Sequence, residues 1–331
     1  MLTQIYHRHN KARLLGFQAT TTAAPSATLN IGSMDASVAR AGAGQPTITP
    51  RYAFARRMLV AGATENGVGA GSYVGLASLA SASAAAAQFL SSGGSGTDGA
   101  GDILALGWDS ANTDETGLQE MDGTIQTPRI IAARIDGTNT VVLQGKKDVS
   151  VTKASTGVYT VTFNGAFGRN PTIALLGEGG SYRSLTYVNK TPGSVGIRAY
   201  DVSGVAADAT FHLIAYGQQG RDEFGRMFNP IMSNYQLIPT AFSVNAGSTT
   251  FRVGGEDASA IVKNGTGDFT ITFKKPFAKI PVVVGSSITQ RKLFLISVSA
   301  TQVRAAPITA GGSASDTDFD LLVFGSSERG E

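Results

Sequence analysis

Residues 262–285 read VKNGTGDFTITFKKPFAKIPVVVG, and residues 151–177 read VTKASTGVYTVTFNGAFGRNPTIALLG. A more divergent copy, VARAGAGQPTITPRYAFARRMLVAG, occupies residues 38–62. The glycines that align in the three copies, Gly44, Gly157 and Gly267, lie 113 and 110 residues apart. An apolar segment ending in glycine follows each copy, at Gly107, Gly217 and Gly325. Three tandem units therefore account for nearly all of the 331 residues.

The length of one unit indicates how the chain is organised. About 110 residues is close to the commonest domain size and exceeds the 20 to 50 residues of solenoid repeats. We therefore expect each unit to bury a core of its own. Three phenylalanines occupy the equivalent position after the threonine-rich segment and are predicted to define these cores: Phe54, Phe167 and Phe277.

The third copy shows best how a unit should fold. Phe269, Ile271 and Phe273 alternate with threonines, which is the period-two pattern of a strand with one buried face. Pro276 ends that strand because proline has no N–H to donate to a ladder. Residues 282–284 are a run of valines, which favours a further strand. Several such short strands, with turn signals every 8–12 residues, predict an antiparallel β-sandwich.

The fold class is therefore predicted to be all-β, with three tandem homologous antiparallel β-sandwich domains and a short N-terminal arm. The arm spans residues 1–12, the sandwiches span residues 13–112, 129–219 and 235–331, and linkers span residues 113–128 and 220–234. Residues 76–90, LASLASASAAAAQFL, favour a helix on propensity alone, since alanine is the best helix former. The repeat instead aligns Ala85 with Val303, so we predict strand here.

Composition excludes several classes of protein. The chain has no cysteine, which rules out disulfides, thiolate zinc sites and cysteine nucleophiles. The N-terminal sequence MLTQIYHRHNKAR lacks the apolar segment of a secretion signal. Residues 76–90 are too short and too weakly apolar to span a bilayer. We expect a soluble chain that is made in a host cytoplasm.

Charge is unevenly distributed, although the formal net charge is only +3. Basic residues dominate up to Val60, whereas residues 61–128 contain acids but no Lys or Arg. This asymmetry fits either an electrostatic docking face or the opposite faces of one domain. The candidate partner-binding residues are Arg8, Lys11, Arg13, Arg51, Arg56 and Arg57. Arg56, Arg169 and Lys279 share one position after the repeated Phe, where they suit either an acidic partner or protection of a strand edge against aggregation.

No catalytic, cofactor or metal site is expected. His7 and His9 lie in the predicted arm, and no acid or serine is placed with a histidine as in a catalytic triad. His212 occupies the position held by Asp102 and Asp320 in the other copies, which indicates an outward-facing sheet position. Residues 93–98, GGSGTD, begin like a calcium-binding nonapeptide but lack its apolar residue and its stacked copies. Scattered lysines without interleaved aromatics predict no nucleic-acid groove.

The order of features within a unit resembles the small β-sandwich modules of tailed-bacteriophage virion proteins. In the third copy it comprises the strand at 269–273, Phe277 four residues before Pro281, the segment SVSAT at 297–301 and the closing segment before Gly325. A looser similarity is to the H-type lectin sandwich. The first copy departs from the pattern, since Ala53 and Met58 replace the two prolines.

The resemblance implies a non-enzymatic structural virion protein. It would bind the outer surface of a phage capsid as a decoration or cement protein, with the major capsid protein and neighbouring virion proteins as partners. Three similar units in one chain suit a local three-fold site. The alternative is a tail or fibre protein that binds host-surface glycans through exposed aromatics, the available ones being Tyr73, Trp108, Tyr182 and Tyr200. Neither a nucleic-acid nor a membrane partner is expected.

Overall fold

The computed structural model describes residues 6–7, 10–22, 27–31, 36–51, 53–54, 57–65, 72–78, 80–108, 128–179, 181–218, 237–289 and 291–326. Over these residues the chain is all-β, which confirms the predicted fold class; the helical element described is a short 3-10 turn at Gly255–Asp257. Apart from Pro128, the predicted linkers lie outside the described residues. The second strand begins at Asn10, within the predicted arm.

Each repeat supplies an equivalent series of eight strands, and one short strand precedes the first series. The first repeat contains β1 Tyr6–His7, β2 Asn10–Thr21, β3 Ala27–Ile31, β4 Ala36–Gly42, β5 Gln45–Pro50, β6 Leu59–Glu65, β7 Tyr73–Leu76, β8 Ala85–Leu90 and β9 Gly99–Trp108. The second contains β10 Pro128–Asp136, β11 Val141–Gln144, β12 Val149–Ser155, β13 Val158–Phe163, β14 Thr172–Glu178, β15 Ser184–Val188, β16 Ser194–Tyr200 and β17 Thr210–Gln218. The third contains β18 Leu237–Asn245, β19 Thr250–Val253, β20 Ala258–Gly265, β21 Asp268–Phe273, β22 Val282–Ser287, β23 Lys292–Val298, β24 Gln302–Ile308 and β25 Phe319–Ser326.

Within a repeat the strands form two facing sheets. In the second repeat an inner sheet has the order β11-β10-β17-β14, and an outer sheet has the order β15-β16-β13-β12. Their facing side chains, among them Ile131, Leu213, Tyr159 and Ile197, form one buried cluster. Alternation in the threonine-rich strand is as predicted, because Phe269, Ile271 and Phe273 are buried and the threonines between them are less so.

The alanine-rich segment is not helical. β7 ends at Leu76 and β8 begins at Ala85, so strand forms at both ends of residues 76–90 and bends connect them.

The sequence pattern did not predict one strand of the third repeat, β20. β20 is an edge strand with mostly exposed, partly polar residues, and it therefore carries no buried-face periodicity.

The repeated phenylalanines explain the repeated closing glycines. Phe54 and Phe167 are buried, whereas Phe277 is half-buried and packs against the core. A Cβ atom at Gly107 would lie 2.3 Å from the Phe54 ring, and one at Gly325 would lie 2.1 Å from the Phe277 ring. These two closing strands thus need glycine where they pass the phenylalanine, whereas a Cβ atom at Gly217 would lie 3.2 Å from the Phe167 ring, a tight contact without overlap.

The sheets do not stop at the boundaries of the repeats. One runs β1-β2-β9-β6-β15-β16-β13-β12, with β3 also on β2, so it joins the first repeat to the second. Another runs β11-β10-β17-β14-β23-β24-β21-β20 and joins the second to the third. The inner strands β6, β14 and β22 are buried on both faces.

The first and second sandwiches each have a buried cluster of their own, as expected, but the repeats also share a core that was not expected. One buried cluster contains Leu104 of the first repeat, Ile214 of the second and Leu322 of the third, which occupy equivalent positions. Ala61, Ala174 and Val284 also belong to it and are likewise equivalent. The outward faces of the three inner sheets therefore pack against one another, and the repeats share a central core in addition to the interior of each sandwich.

Candidate functional site

The three repeats contact one another through the same backbone pairing. At the first junction Glu65 of β6 pairs in parallel with Tyr187 of β15. At the second junction Glu178 of β14 pairs in parallel with Leu295 of β23. At the third junction Ile288, next to the end of β22, forms a parallel bridge to Leu76 of β7.

The third junction closes the arrangement. Glu65, Glu178 and Ile288 are equivalent in the repeat, as are Leu76, Tyr187 and Leu295. The Thr289 N–H also donates to the Leu76 carbonyl at 3.0 Å, and Ser286 Oγ donates to the Val60 carbonyl at 2.6 Å. Because the first repeat contacts the second, the second the third and the third the first in one register, the repeats form a closed ring with pseudo-three-fold symmetry.

Each junction buries one polar residue from the closing strand of the preceding repeat. Asp102, His212 and Asp320 are all 0% exposed, although the sequence indicated an outward-facing sheet position. The position does face outward from its own sandwich, but this face is the inside of the ring. Ile173 N–H donates to Asp102 Oδ2 at 2.8 Å, and Val283 N–H donates to His212 Nδ1 at 3.0 Å. Both bonds cross a junction.

At the first junction a lysine neutralises the buried carboxylate. Lys190 Nζ lies 2.7 and 2.5 Å from the two oxygens of Asp102, and Tyr187 Oη donates to the same group at 3.2 Å. Burial nevertheless raises the pKa of Asp102 to about 6, against the lowering effect of Lys190. The pair is well hydrogen-bonded, but both charges are buried, and their removal from water carries a desolvation cost.

At the second junction the buried group is a neutral histidine. Nδ1 of His212 accepts a hydrogen bond from the Val283 N–H, so Nε2 carries the ring hydrogen and donates to Glu178 Oε2 at 3.0 Å. Burial lowers the pKa of His212, and the neighbouring carboxylate of Glu178 opposes this downward shift only in part. Burial acts to raise the pKa of Glu178, but the hydrogen bonds from His212 and Arg134 outweigh it and lower the value to about 2.

At the third junction Arg57 takes the place of the lysine. Its Nη2 lies 2.8 Å from Asp320 Oδ2, and its Nη1 donates to Ser243 Oγ. Burial raises the pKa of Asp320 to about 6, against Arg57 and the nearby Ser243 hydroxyl and Val60 N–H. Oδ1 of Asp320 lacks a hydrogen-bond partner among the described residues, so this cluster is less completely satisfied than the first.

All three repeats also meet around one buried lysine. Nζ of Lys292 lies 5.6 Å from the centre of the Tyr73 ring and 4.9 Å from that of Tyr182, and it donates to the Ala310 carbonyl at 2.9 Å. Burial lowers the pKa of Lys292. A cavity of about 30 Å³ adjoins these tyrosines. Equivalent residues from the three repeats line it: Gly62, Leu175 and Gly285, together with Val74, Leu185 and Leu293.

These contacts remove two of the aromatic candidates for glycan binding. Tyr73 and Tyr182 are buried within the ring rather than exposed in loops. Tyr200, at the end of β16, is half-buried. Trp108 ends β9, and its side chain lies outside the described residues.

The six predicted partner-binding residues lie in different environments. Arg51 is exposed in the segment that connects β5 to β6, whereas Arg57 in the same segment is used inside the third junction. Lys11 and Arg13 lie in β2, where the backbone alone is described. Arg8 and Arg56 lie outside the described residues. Arg57, which was predicted to bind a partner, instead pairs with Asp320 inside the third junction.

More exposed cations lie at the same end of the sandwiches as Arg51. The Asn164 N–H donates to the Asp148 carbonyl, which places the segment after β11 beside the segment after β13. Likewise, the Lys274 N–H donates to the Asp257 carbonyl in the third repeat. We call this set the basic end: Arg51, Lys146, Lys147, Arg169, Lys274, Lys275 and Lys279, all exposed. The acids nearby are the half-buried Asp148 and Asp257 and the exposed Glu256.

The other end of the sandwiches is charge-balanced. The equivalent cations Arg40, Lys153 and Lys263 pair with the equivalent acids Asp98, Asp208 and Asp316 at 2.8, 2.6 and 2.6 Å. Each acid also accepts the N–H of a turn glycine, for example Gly157, whose φ of 66° favours glycine. Arg252 and Arg304 pair with Asp318 and Asp268 at this end.

No other chemistry-bearing cluster stands out. Within the described ranges, no group of three or more His, Asp or Glu side chains is positioned to hold a metal ion. In the same part of the chain, no helix is long and apolar enough to cross a membrane. Comparisons with protein-family models, curated proteins and solved structures found no match to this chain.

Proposed function

We propose that this chain is a non-enzymatic structural virion protein that binds the outer surface of a phage capsid as a decoration or cement protein. It occupies local three-fold sites as a pseudo-trimer. The observation that supports this most is the closed ring, in which three equivalent junctions relate the repeats by a pseudo-three-fold rotation. The resemblance of the repeat to phage virion sandwiches gives the class of partner, namely the major capsid protein.

Ring closure within one chain suits such a site for a thermodynamic reason. An icosahedral shell presents local three-fold positions wherever three capsomers meet, and an object with matching symmetry makes each contact three times. When the three copies are linked, the second and third contacts form at high effective concentration after the first. One association event therefore replaces three.

The ring is also preorganised for this role. Its junctions bury polar groups and apolar side chains, so the repeats are held in place before any partner binds. Binding therefore does not require an additional ordering of one repeat against the next, which would weaken affinity.

Electron microscopy of particles from the phage that carries the gene tests the proposal. We expect density for one ring at each occupied local three-fold site, with the repeats related as they are in the chain. Density confined to the tail, or placement without three-fold symmetry, would contradict it. Binding to host polysaccharide on a glycan array, lost on Trp108→Ala, would favour the adhesin alternative.

A further inference from the structure

At every junction of the ring, a backbone N–H of one repeat donates to the polar side chain on the closing strand of the preceding repeat. The three donors are equivalent in the repeat, as are the three acceptors, and the pairs are Ile173 with Asp102, Val283 with His212 and Val60 with Asp320. The acceptors are all 0% exposed. Because a buried N–H without an acceptor is costly, each junction depends on its acceptor.

The acceptor at the second junction is the one that protonation destroys. A protonated carboxyl group keeps a carbonyl oxygen that accepts hydrogen bonds, so Asp102 and Asp320 remain acceptors after they gain a proton. A protonated imidazole carries N–H on both nitrogens and accepts no hydrogen bond. Nε2 of His212 already carries the ring hydrogen, so an added proton goes to Nδ1. There it would face the Val283 N–H across a distance of 3.0 Å.

We propose that His212 makes the second junction acid-sensitive, because protonation of Nδ1 removes the acceptor of the Val283 N–H. This contact between the second and third repeats then opens as pH falls, while the other two junctions hold. The closed ring becomes a row of repeats joined through the first and third junctions. The inference concerns the conformation of the chain and does not depend on the proposed function.

The charges around His212 do not compensate an added proton. Glu178, on the neighbouring strand β14, accepts two hydrogen bonds from Arg134 on β10, at 2.7 and 3.0 Å. The negative charge of Glu178 is therefore already balanced while His212 is neutral. Since Nε2 donates to Glu178 in the neutral ring as well, protonation adds a charge without adding a hydrogen bond on that side.

The other ionisable groups on the strands packed against β17 bond elsewhere. Arg129 and Asp136 on β10 bond to backbone groups outside the second junction, as does Tyr216 on β17 itself. β22, which supplies the Val283 N–H, has no ionisable side chain. An added proton at His212 would thus be an uncompensated charge in a site without access to water.

The direction of the pH dependence follows from linkage. Burial lowers the pKa of His212 below the ordinary value of 6.5, so the closed junction binds a proton less readily than the open one. Closure of the second junction is therefore strongest above pH 6.5 and weakens as pH falls below it. Asp102 and Asp320 act in the opposite sense, because their raised pKa values favour the closed junctions as pH falls below about 6.

Amide hydrogen exchange of the full-length chain, measured by NMR, tests the proposal. The Val283 amide reports on the second junction, and the Ile173 and Val60 amides are internal controls at the other two. Protection is corrected for the intrinsic pH dependence of exchange. From about pH 7 to about pH 5 we expect the protection of Val283 to fall about tenfold, within the limit of about 25-fold set by an open-state histidine pKa of about 6.5.

The protection of Ile173 and Val60 should hold or rise over the same range. If all three amides lose protection alike, acid acts on the whole ring and the proposal is wrong. Unchanged protection of Val283 would also overturn it, since the junction would then tolerate the proton.

His212→Asn separates loss of the acceptor from a general effect of acid. Asparagine has the length of the aspartate that fills this position in the other repeats, and its side-chain oxygen accepts the Val283 N–H at any pH. We expect the acid-induced fall in Val283 protection to disappear in this variant. A fall as large as that of the parent would contradict the proposal. If the variant does not fold, the comparison of the three amides in the parent still decides the question.

Discussion

Replacing Leu104 with alanine tests whether the three repeats share one core. Leu104 is fully buried in the cluster that also contains Ile214 and Leu322. Leucine-to-alanine changes at such sites cost about 2–5 kcal/mol, and we take about 3 kcal/mol as the working value. Because the cluster joins residues of all three repeats, the change weakens a core that they share.

The size of the thermal shift distinguishes a shared core from separate cores. Unfolding entropy near the midpoint is about 2.1 cal/mol/K per residue, or about 0.7 kcal/mol/K if all 331 residues unfold together. A loss of about 3 kcal/mol then lowers Tm by about 4 °C. If the first repeat unfolded alone, its entropy would be about 0.23 kcal/mol/K, and its own transition would fall by about 13 °C.

Differential scanning calorimetry measures both quantities. We expect one transition, shifted by about 4 °C, with a van't Hoff enthalpy close to the calorimetric value. The matched control is Leu143→Ala, since Leu143 is 39% exposed and its removal should lower Tm by less than about 1 °C. Our reasoning fails if Leu104→Ala creates a separate early transition with about a third of the total enthalpy.

The remaining predictions concern the junctions and the turns. Lys190→Gln leaves Asp102 buried without its ion-pair partner and should lower the free energy of unfolding by about 3 kcal/mol. The double variant with Asp102→Asn should recover most of this loss, and chemical denaturation measures both. The control Lys263→Gln, in a more exposed pair, should cost less than about 1 kcal/mol. The pKa of Asp320 is about 6 in the fold and 3.8 in the unfolded chain, so between pH 6 and pH 4 the folded state takes up a proton that the unfolded chain does not. Stability of the parent relative to Asp320→Asn should therefore rise by about 3 kcal/mol as pH falls across this window, and a flat difference would show that Asp320 is not buried as a carboxylate. Gly157→Ala should cost more than about 1 kcal/mol in the same assay, because its Cβ would lie 2.5 Å from the Ala199 carbonyl oxygen at a φ of 66°, whereas Gly93→Ala, with its nearest atom at 3.9 Å, should be tolerated.

The sequence was sufficient for the interior of each sandwich. Alternation of Phe269, Ile271 and Phe273 with threonine records a strand that is buried on one face, and the structure has that pattern. The periodic spacing of Gly107, Gly217 and Gly325 marked the closing strands correctly. Its physical cause, close approach of the repeated Phe, became visible only when both segments were placed together.

The shared core was missed although the sequence carried a signal for it. β22 begins with three consecutive valines and β25 contains the run LLVF, and such uninterrupted apolar runs are typical of strands buried on both faces. The polar residues at one repeated position, Asp102, His212 and Asp320, instead indicated a solvent-exposed face, because buried polar groups are rare unless they are paired. Their partners were not predictable from the repeat. Lys190 and Arg57 have no basic counterparts in the other copies, and the pairs are separated by 88 and 263 residues.

The partner-binding prediction was limited in the same way. Arg51 and Arg57 lie six residues apart in one connecting segment and carry the same charge, yet the first is exposed and the second pairs with Asp320. Only the ring closure, which brings the third repeat against the first, separates their roles.

The closure itself is tested most directly by a disulfide between the first and third repeats. The chain has no cysteine, so Leu76→Cys with Ile288→Cys introduces a single pair at positions that face each other across the third junction. Glu178→Cys with Leu295→Cys, at the second junction, is the matched control, because these positions adjoin in a ring and in a linear row alike. After mild oxidation we expect both proteins to form an intramolecular disulfide, seen as a compact monomer on a non-reducing gel. An intramolecular bond in the control, with none or only intermolecular dimers in the Leu76–Ile288 pair, would contradict the closed ring.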